Sequence, residues 1–428
     1  MVRQASRRHI YTEKKFYTLF PHNHLNPDLG STFADIDDLK AKMRRPIAFL
    51  LAIFLVALSI LTGIFAMENN KNPIVRVCVI DDKDSVYLAL KGRYKICSMT
   101  PERVIMEGPY FKGTVGSVGG GIRIGNSQIK FGGVKVKVLR DSNIYVDGKR
   151  FRGDVDIIKK ENGKLMVINH VALEEYLYGV LYQEVSHCWP LEALKAQAIV
   201  ARTFAVYQIS QSRLQPYDLR SDVYSQVYGG RTSERWATNR AVDLTKGKVL
   251  TYGAQIFPTY YHATCAGYTE DAANLWAIDL APLKGVPCDY CKGSPHYKWK
   301  KEIPMSALES KLKENNYKIG KISTVTLLSR NRSGRVDKLE IKDSSAVSVI
   351  LTGKDFRQMM GPNDIRSTKF DADVKPEKLI LNGVGWGHGA GMCQWGAYGM
   401  AKKHKKVEDI LKYYYPEAKV ASIDKRGG

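Results

Sequence analysis

The chain has 428 residues, 44% of them hydrophobic, and a formal net charge of +22. That length allows two or three domains with a sizeable core. The positive excess favours anionic partners, but the basic residues are spread along the chain, with no Arg-rich run, zinc-finger spacing or RNA-binding signature, which argues against nucleic acid.

Residues 1–45 are polar and mixed in charge and read as a short cytoplasmic tail. Pro46 to Ala66, PIAFLLAIFLVALSILTGIFA, carries no charge, and an apolar helix of this length spans about 30 Å of hydrocarbon. A cleaved signal peptide has a shorter apolar region nearer the N-terminus. Arg44 and Arg45 sit at the boundary, and the positive-inside rule keeps them cytoplasmic. The sequence therefore predicts a single-pass anchor in the cell membrane, with residues 67–73 as a linker and everything beyond extracytoplasmic.

From 74 to 170 the pattern is β-rich. IVRVCVI, VYLAL, GIRIG, VKVKVL, NIYV and KLMVI are short β-branched runs separated by Gly, Asp and Asn. The glycines of GSVGGGIRIG do not make a phosphate loop, because no helix pattern and no Lys-Ser/Thr follow them; they read as turns. The character changes after Val171. VALEEYLYGVLYQ has helical spacing at Leu173, Tyr176, Leu177 and Val180. A second helix is predicted to start at Pro190, with Leu191, Leu194, Ala198, Ala201 and Ala205 as its apolar stripe. Strands are expected near KVLTY, PTYYHAT, KISTVTLL, DKLEIK and AVSVIL, and helices at KDFRQMM and VEDILKYYY. The predicted class is α+β: one transmembrane helix, a β-rich part over 74–170, a mixed helix and sheet part over 171–420, and a tail over 421–428.

Between the two predicted helices lies a single carboxylate, Glu184. Read from the residues alone, it accepts hydrogen bonds at the start of the next helix. Glu174, Glu175 and Glu192 read as surface helix charges. Trp386 and Trp395 read either as core residues or as platforms for sugar rings.

Four blocks occur in order: YLYGVLYQEVSHCWPLEALKAQAIVARTFA, DVYSQVYGG, YYHATCAGYTE and GVGWGHGAGMCQWGAYGMA with a following YYYP. Together they resemble the SpoIID/LytB family of stage II sporulation protein D-like peptidoglycan lytic transglycosylases, a family that also includes amidase enhancers. The resemblance implies cleavage of the bond between N-acetylmuramic acid and N-acetylglucosamine to a 1,6-anhydro end, in glycan strands stripped of stem peptides. Such a reaction needs one acid, because the sugar's own C6 hydroxyl is the nucleophile; ordinary glycosidases use two. By position, Glu184 matches the family's catalytic glutamate, with Val185 and Trp189 available as an apolar wall to raise its pKa. The resemblance also implies that Arg202, Tyr261, His262, His388, Gln394 and Trp395 line the substrate cleft, that no cofactor is required for the chemistry, and that a cell-wall amidase is a partner. Two rival readings are a non-catalytic wall-binding protein that enhances an N-acetylmuramoyl-L-alanine amidase, and a membrane-tethered binder of anionic polymer.

Seven cysteines stand at 78, 97, 188, 265, 288, 291 and 393. Cys288 and Cys291 form a CxxC, and Cys265 with His262 forms an upstream HxxC. These four suit a tetrahedral Cys3His zinc site, with His296 as a competing fourth ligand; in an oxidising compartment the same cysteines suit disulfides. Relatives that bind zinc do so just before the QVY block, where this chain has neither Cys nor His. Cys78 and Cys97 are a candidate disulfide, and Cys188 and Cys393 read as small buried residues.

Overall fold

The computed structural model describes residues 73–139, 142–223 and 225–423. The expected tail, the Pro46–Ala66 span and most of the linker lie outside them. Among the described residues no helix is long and apolar enough to cross a membrane.

The first half is strand-forming because β-branched residues recur at every second position. Its strands are β1 (Ile74–Lys83), β2 (Ser85–Ser98), β3 (Val104–Val118), β4 (Gly121–Ile124), β5 (Ser127–Ile129), β6 (Gly133–Val138), β7 (Asn143–Val146), β8 (Lys149–Phe151), β9 (Asp154–Lys159) and β10 (Leu165–Ala172). With a short β11 (Leu219–Arg220) they form one sheet, ordered β11-β1-β10-β9-β6-β2-β3-β4-β5, with β7 on β2 and β8 on β7. Pairing is antiparallel except for β1 with β11. β3 is long but was not legible as a run, since VIMEGPYFKGTVGSV is broken by Gly and Pro. The turn glycines Gly119 and Gly120 do connect two strands, β3 and β4.

β10 runs directly into helix α1 (Leu173–Glu184), and α2 (Leu191–Gln211) follows with Pro190 as its cap, one residue later than expected. The predicted stripe understates α2, which is buried on all sides from Ala196 to Ala205. One face (Leu194, Ala198, Ala201, Ala205) joins the core of the large sheet. The opposite face (Ala193, Ala196, Ile199, Val200) joins a second core with Met392, Ala397, Ile410 and Tyr414. Small side chains make this double packing possible, because they let neighbours approach from both sides.

Beyond α2 come α3 (Trp236–Leu244), β12 (Lys248–Tyr252), β13 (Gln255–Ile256), β14 (Tyr261–His262), β15 (Gly267–Tyr268), α4 (Ala273–Trp276) and β16 (Pro287–Cys288). An elaborated segment follows: β17 (Lys298–Pro304), α5 (Met305–Glu314), β18 (Ile322–Arg330), β19 (Val336–Asp343), β20 (Ser348–Thr352), α6 (Gly353–Met360), β21 (Phe370–Val374) and β22 (Lys378–Val384). Its two three-stranded sheets, β17-β22-β21 and β18-β19-β20, enclose a third core around Trp299, Leu339, Phe356 and Phe370. The chain closes with β23 (Met392–Cys393), α7 (Gln394–Lys402), α8 (Val407–Tyr414) and β24 (Lys419–Ser422). The α+β class is therefore observed.

The seven cysteines form no disulfide. Cys78 lies on β1 and Cys97 on β2, four strand positions apart in the sheet order. Strands β10, β9 and β6 lie between them in that order, and both thiols are free. Cys188 is exposed rather than buried.

Candidate active site

Glu184 is the last residue of α1, and it does not cap the helix that follows. Its carboxylate Oε1 accepts the Val227 backbone N–H at 3.2 Å and also hydrogen-bonds the side chains of Tyr261 and Gln394. A relay of donors ends there. The Tyr176 hydroxyl donates to Gln226 Oε1 at 3.0 Å, Gln226 Nε2 donates to the Tyr261 hydroxyl oxygen at 3.1 Å, and the Tyr261 hydroxyl is left to donate to the carboxylate. Gln394 is fixed in turn by Gln197, at 3.4 Å.

Burial dominates the acid. It pushes the Glu184 pKa up from 4.5 to about 7, although the three hydrogen bonds favour the charged form. The C-terminal end of α1 works in the same direction, because the helix dipole disfavours a negative charge there. Glu184 is thus a carboxyl group poised to give and accept a proton near neutrality.

A cavity of about 430 Å³ opens on this group. Tyr261, His262, His388 and Gln394 line it, as do Phe204, Tyr260, Trp276 and Trp386. Two expected cleft residues lie elsewhere. Arg202 is fully buried between α1 and α3. Its guanidinium donates to Glu174 at 2.7 and 2.9 Å and to the carbonyls of Val242 and Lys248 at 3.2 and 3.1 Å. Glu174, read as a surface charge, is accordingly buried; the pair joins three helices and a strand rather than lining the cavity. Trp395 packs with Trp189 and Tyr398 in an aromatic cluster, with ring centroids 5.2 Å apart in both pairs. Trp189, expected to wall the acid, belongs to that cluster.

The parallel pairing of β14 with β23 matches Tyr261 to Met392 and His262 to Cys393. It thereby brings the YYHATC block beside the Gly-rich block. Gly387, at φ 106°, has no room for a side chain: a Cβ there would lie 2.7 Å from that of His262. This contact places His262 and His388 with rings 5.7 Å apart. Burial holds both imidazoles neutral, His388 down to about 3 with Arg357 and Arg335 adding repulsion, and His262 well below its usual range. His388 Nδ1 accepts the Ala390 N–H at 3.1 Å. His262 Nδ1 donates to the Ala390 carbonyl at 3.1 Å, which leaves His262 Nε2 a buried acceptor without a protein partner.

Several lining residues were not legible in the sequence. Trp276 stacks on Tyr260 with centroids 4.1 Å apart. Lys354 and Arg357, on α6 of the elaborated segment, form part of the wall. Asp222 is a second carboxylate at the cavity, paired with Arg220 at 2.8 Å. A helix was expected at KDFRQMM, but not which site its polar face would reach.

The expected metal residues do converge, with a different fourth member. Cys265, Cys288, Cys291 and Cys393 are all buried, with sulfurs within 4.8 Å of one another, and could hold a metal ion. His262 faces Ala390 and the cavity instead, and His296 packs on Trp386 at 4.6 Å. Cys393, read as a small core residue, takes the place that a histidine was expected to fill.

An α+β fold that sets a carboxyl of raised pKa, Glu184, against an aromatic-walled cavity, with a train of donors aimed at it, defines a candidate acid–base site. The chain belongs to the stage II sporulation protein D (SpoIID) family. The family model "Stage II sporulation protein" matches residues 161–252, and a domain of unknown function, DUF8618, matches residues 289–391. The chain is 32% identical to stage II sporulation protein D of Bacillus subtilis, over 60% of this chain and 76% of that protein. It is 31% identical to an uncharacterised protein of Brachyspira hyodysenteriae, over 83% of this chain and 94% of that one. It is 26% identical to the amidase enhancer of Bacillus subtilis, over 66% of this chain and 45% of that protein.

Proposed function

We propose that this protein is a peptidoglycan lytic transglycosylase that acts on glycan strands outside the membrane, with Glu184 as its one acid and base. The observation that carries the reading is the Glu184 carboxyl, raised to about 7 at a cavity wall and held by Tyr261, Gln394 and the Val227 amide. Protonated Glu184 gives its proton to the glycosidic oxygen as the bond to muramic C1 breaks. The C6 hydroxyl oxygen of the same sugar then bonds C1, and its proton returns to Glu184. No water is consumed, and the new end is a 1,6-anhydro sugar. Tethering of the nucleophile supplies the entropic advantage that a second carboxylate gives elsewhere.

Tyr261 and Gln394 orient the carboxyl group. His262 also lines the wall, with its Nε2 buried and without a protein partner. Trp276, stacked on Tyr260, offers an apolar face. Lys354 and Arg357 suit strands stripped of stem peptide, because removing the peptide frees a carboxylate on each muramic acid. The uncharged run Pro46–Ala66 would anchor the protein with its N-terminus in the cytoplasm. Similarity to the amidase enhancer supports a second reading, in which the protein binds the wall and stimulates an amidase that supplies the stripped strands.

The test incubates the full-length protein with peptide-free glycan and analyses products by mass spectrometry. Anhydro ends that disappear in Glu184→Gln and persist in Asp222→Asn support the proposal. Reducing ends that need both carboxylates indicate two-acid hydrolysis instead. Binding without any product, together with faster turnover by an added amidase, leaves the enhancer reading.

A further inference from the structure

We propose that Cys265, Cys288, Cys291 and Cys393 bind one zinc ion as a closed tetrathiolate, its charge balanced by Arg335 and Lys369 of the elaborated segment. The ion would clamp that segment to the wall of the cavity.

Geometry comes first. Zinc binds thiolate sulfur at about 2.3 Å, so a tetrahedron places its sulfurs about 3.8 Å apart. Here Cys265 Sγ and Cys291 Sγ are 3.6 Å apart, and all four sulfurs lie within 4.8 Å of one another. That space encloses a single ion; a cluster of several irons would push the sulfurs farther apart. The residues come from three places in the chain: the end of the YYHATC block, the CxxC at 288 and 291, and the residue that caps α7. Four buried protein ligands leave no open position, which marks a structural site rather than a catalytic one.

Four thiolates and one zinc ion leave two negative charges in a buried place, and a buried charge needs compensation. Arg335 is itself fully buried. Its guanidinium donates to the carbonyls of Cys265 and Tyr268, at 3.1 and 3.0 Å, while its Nε has no hydrogen-bond partner. Lys369 donates to the Ala266 carbonyl at 3.0 Å. Two cations are thus drawn to the loop that carries Cys265. Donors also converge on sulfur, as thiolates require: Cys393 Sγ accepts the backbone N–H groups of Cys265 and Gly396, both at 3.3 Å, and Cys288 Sγ lies 3.1 Å from the Tyr414 hydroxyl. Even the close fit of the Gly-rich block serves this arrangement, since a Cβ on Gly389 would lie 2.5 Å from the Arg335 guanidinium carbon.

Such an ion would bear on the site through covalent neighbours. Cys393 precedes Gln394, which bonds Glu184, and Cys265 lies three residues after His262. These cysteines make the ion a positioning element, one shell behind the groups that face the cavity.

The experiment uses the full-length chain, purified in detergent under reducing conditions without chelator or added metal. Elemental analysis should find one zinc per chain. Cys393→Ser and Cys288→Ser should each lose most of it, while Cys188→Ser, at an exposed cysteine outside the cluster, should keep it. Cobalt exchange into the wild-type protein should give the sulfur-to-metal charge-transfer and d–d absorption of a tetrahedral thiolate site, a readout that does not depend on whether the variants fold. Arg335→Met should weaken zinc about 10- to 100-fold in competition with a chromogenic chelator. Four freely titrating thiols with no metal, disulfides between these cysteines in the non-reduced protein, iron in place of zinc, or unchanged zinc in Cys393→Ser would each overturn the proposal.

Discussion

Replacing Glu184 by glutamine should make the protein more stable at pH 8, and the size of the gain follows from the burial of the carboxyl. Folding raises its pKa from 4.5 to about 7. Between those values the native state binds more protons than the unfolded chain, so stability falls as pH rises through this window. At roughly 1.4 kcal/mol per pH unit, the wild type gives up about 3 kcal/mol by pH 8 relative to pH 4. Glutamine has no proton to lose and keeps an oxygen for the Val227 N–H. Urea unfolding of wild type and Glu184→Gln should therefore show a difference near zero at pH 4 to 4.5 that grows to about 3 kcal/mol in favour of the variant at pH 8. A difference that stays flat across this range, or one that favours the wild type at pH 8, would refute the account of Glu184 as a carboxyl raised by burial.

The ion pair of Arg202 and Glu174 gives a contrasting case. Arg202→Met strands a buried carboxylate and should cost about 3–5 kcal/mol in urea unfolding, whereas the double variant Arg202→Met with Glu174→Leu should recover much of that loss. Gln394→Ala removes a hydrogen bond that favours ionised Glu184; the basic limb of the activity profile against pH should move to higher pH, read from kcat/KM on peptide-free glycan. Gly387→Ala forces a side chain into a left-handed backbone and against His262. It should cost at least about 1–3 kcal/mol, visible as a lower Tm.

Much of the fold was written in local patterns. The β-branched runs of the first half, the helical spacing after Val171 and the segments KDFRQMM and VEDILKYYY each became the element they suggested, because period and propensity act over a few residues. Glu184 was legible as a lone acid in a break between helices. What could not be seen was its surroundings. Val227, Gln226, Tyr261 and Gln394 lie 42 or more positions away, and only the meeting of β14 with β23 and the fold of the QVY block bring them to one carboxyl. Arg202 shows the reverse: a cation in a motif-rich helix was expected at the cleft, and packing turned it to Glu174, because α2 is enclosed on every face.

The order of residues alone determined the α+β class, the uncharged run at Pro46–Ala66 and the family blocks, all of which are carried by composition and short-range spacing, and it singled out Glu184 as the candidate acid. Tertiary structure alone decided that Cys393 rather than a histidine joins Cys265, Cys288 and Cys291, that α6 brings Lys354 and Arg357 to the cavity, and that Glu184 titrates near neutrality. These depend on burial and on contacts between segments far apart in the chain, and neither quantity exists until the chain has folded.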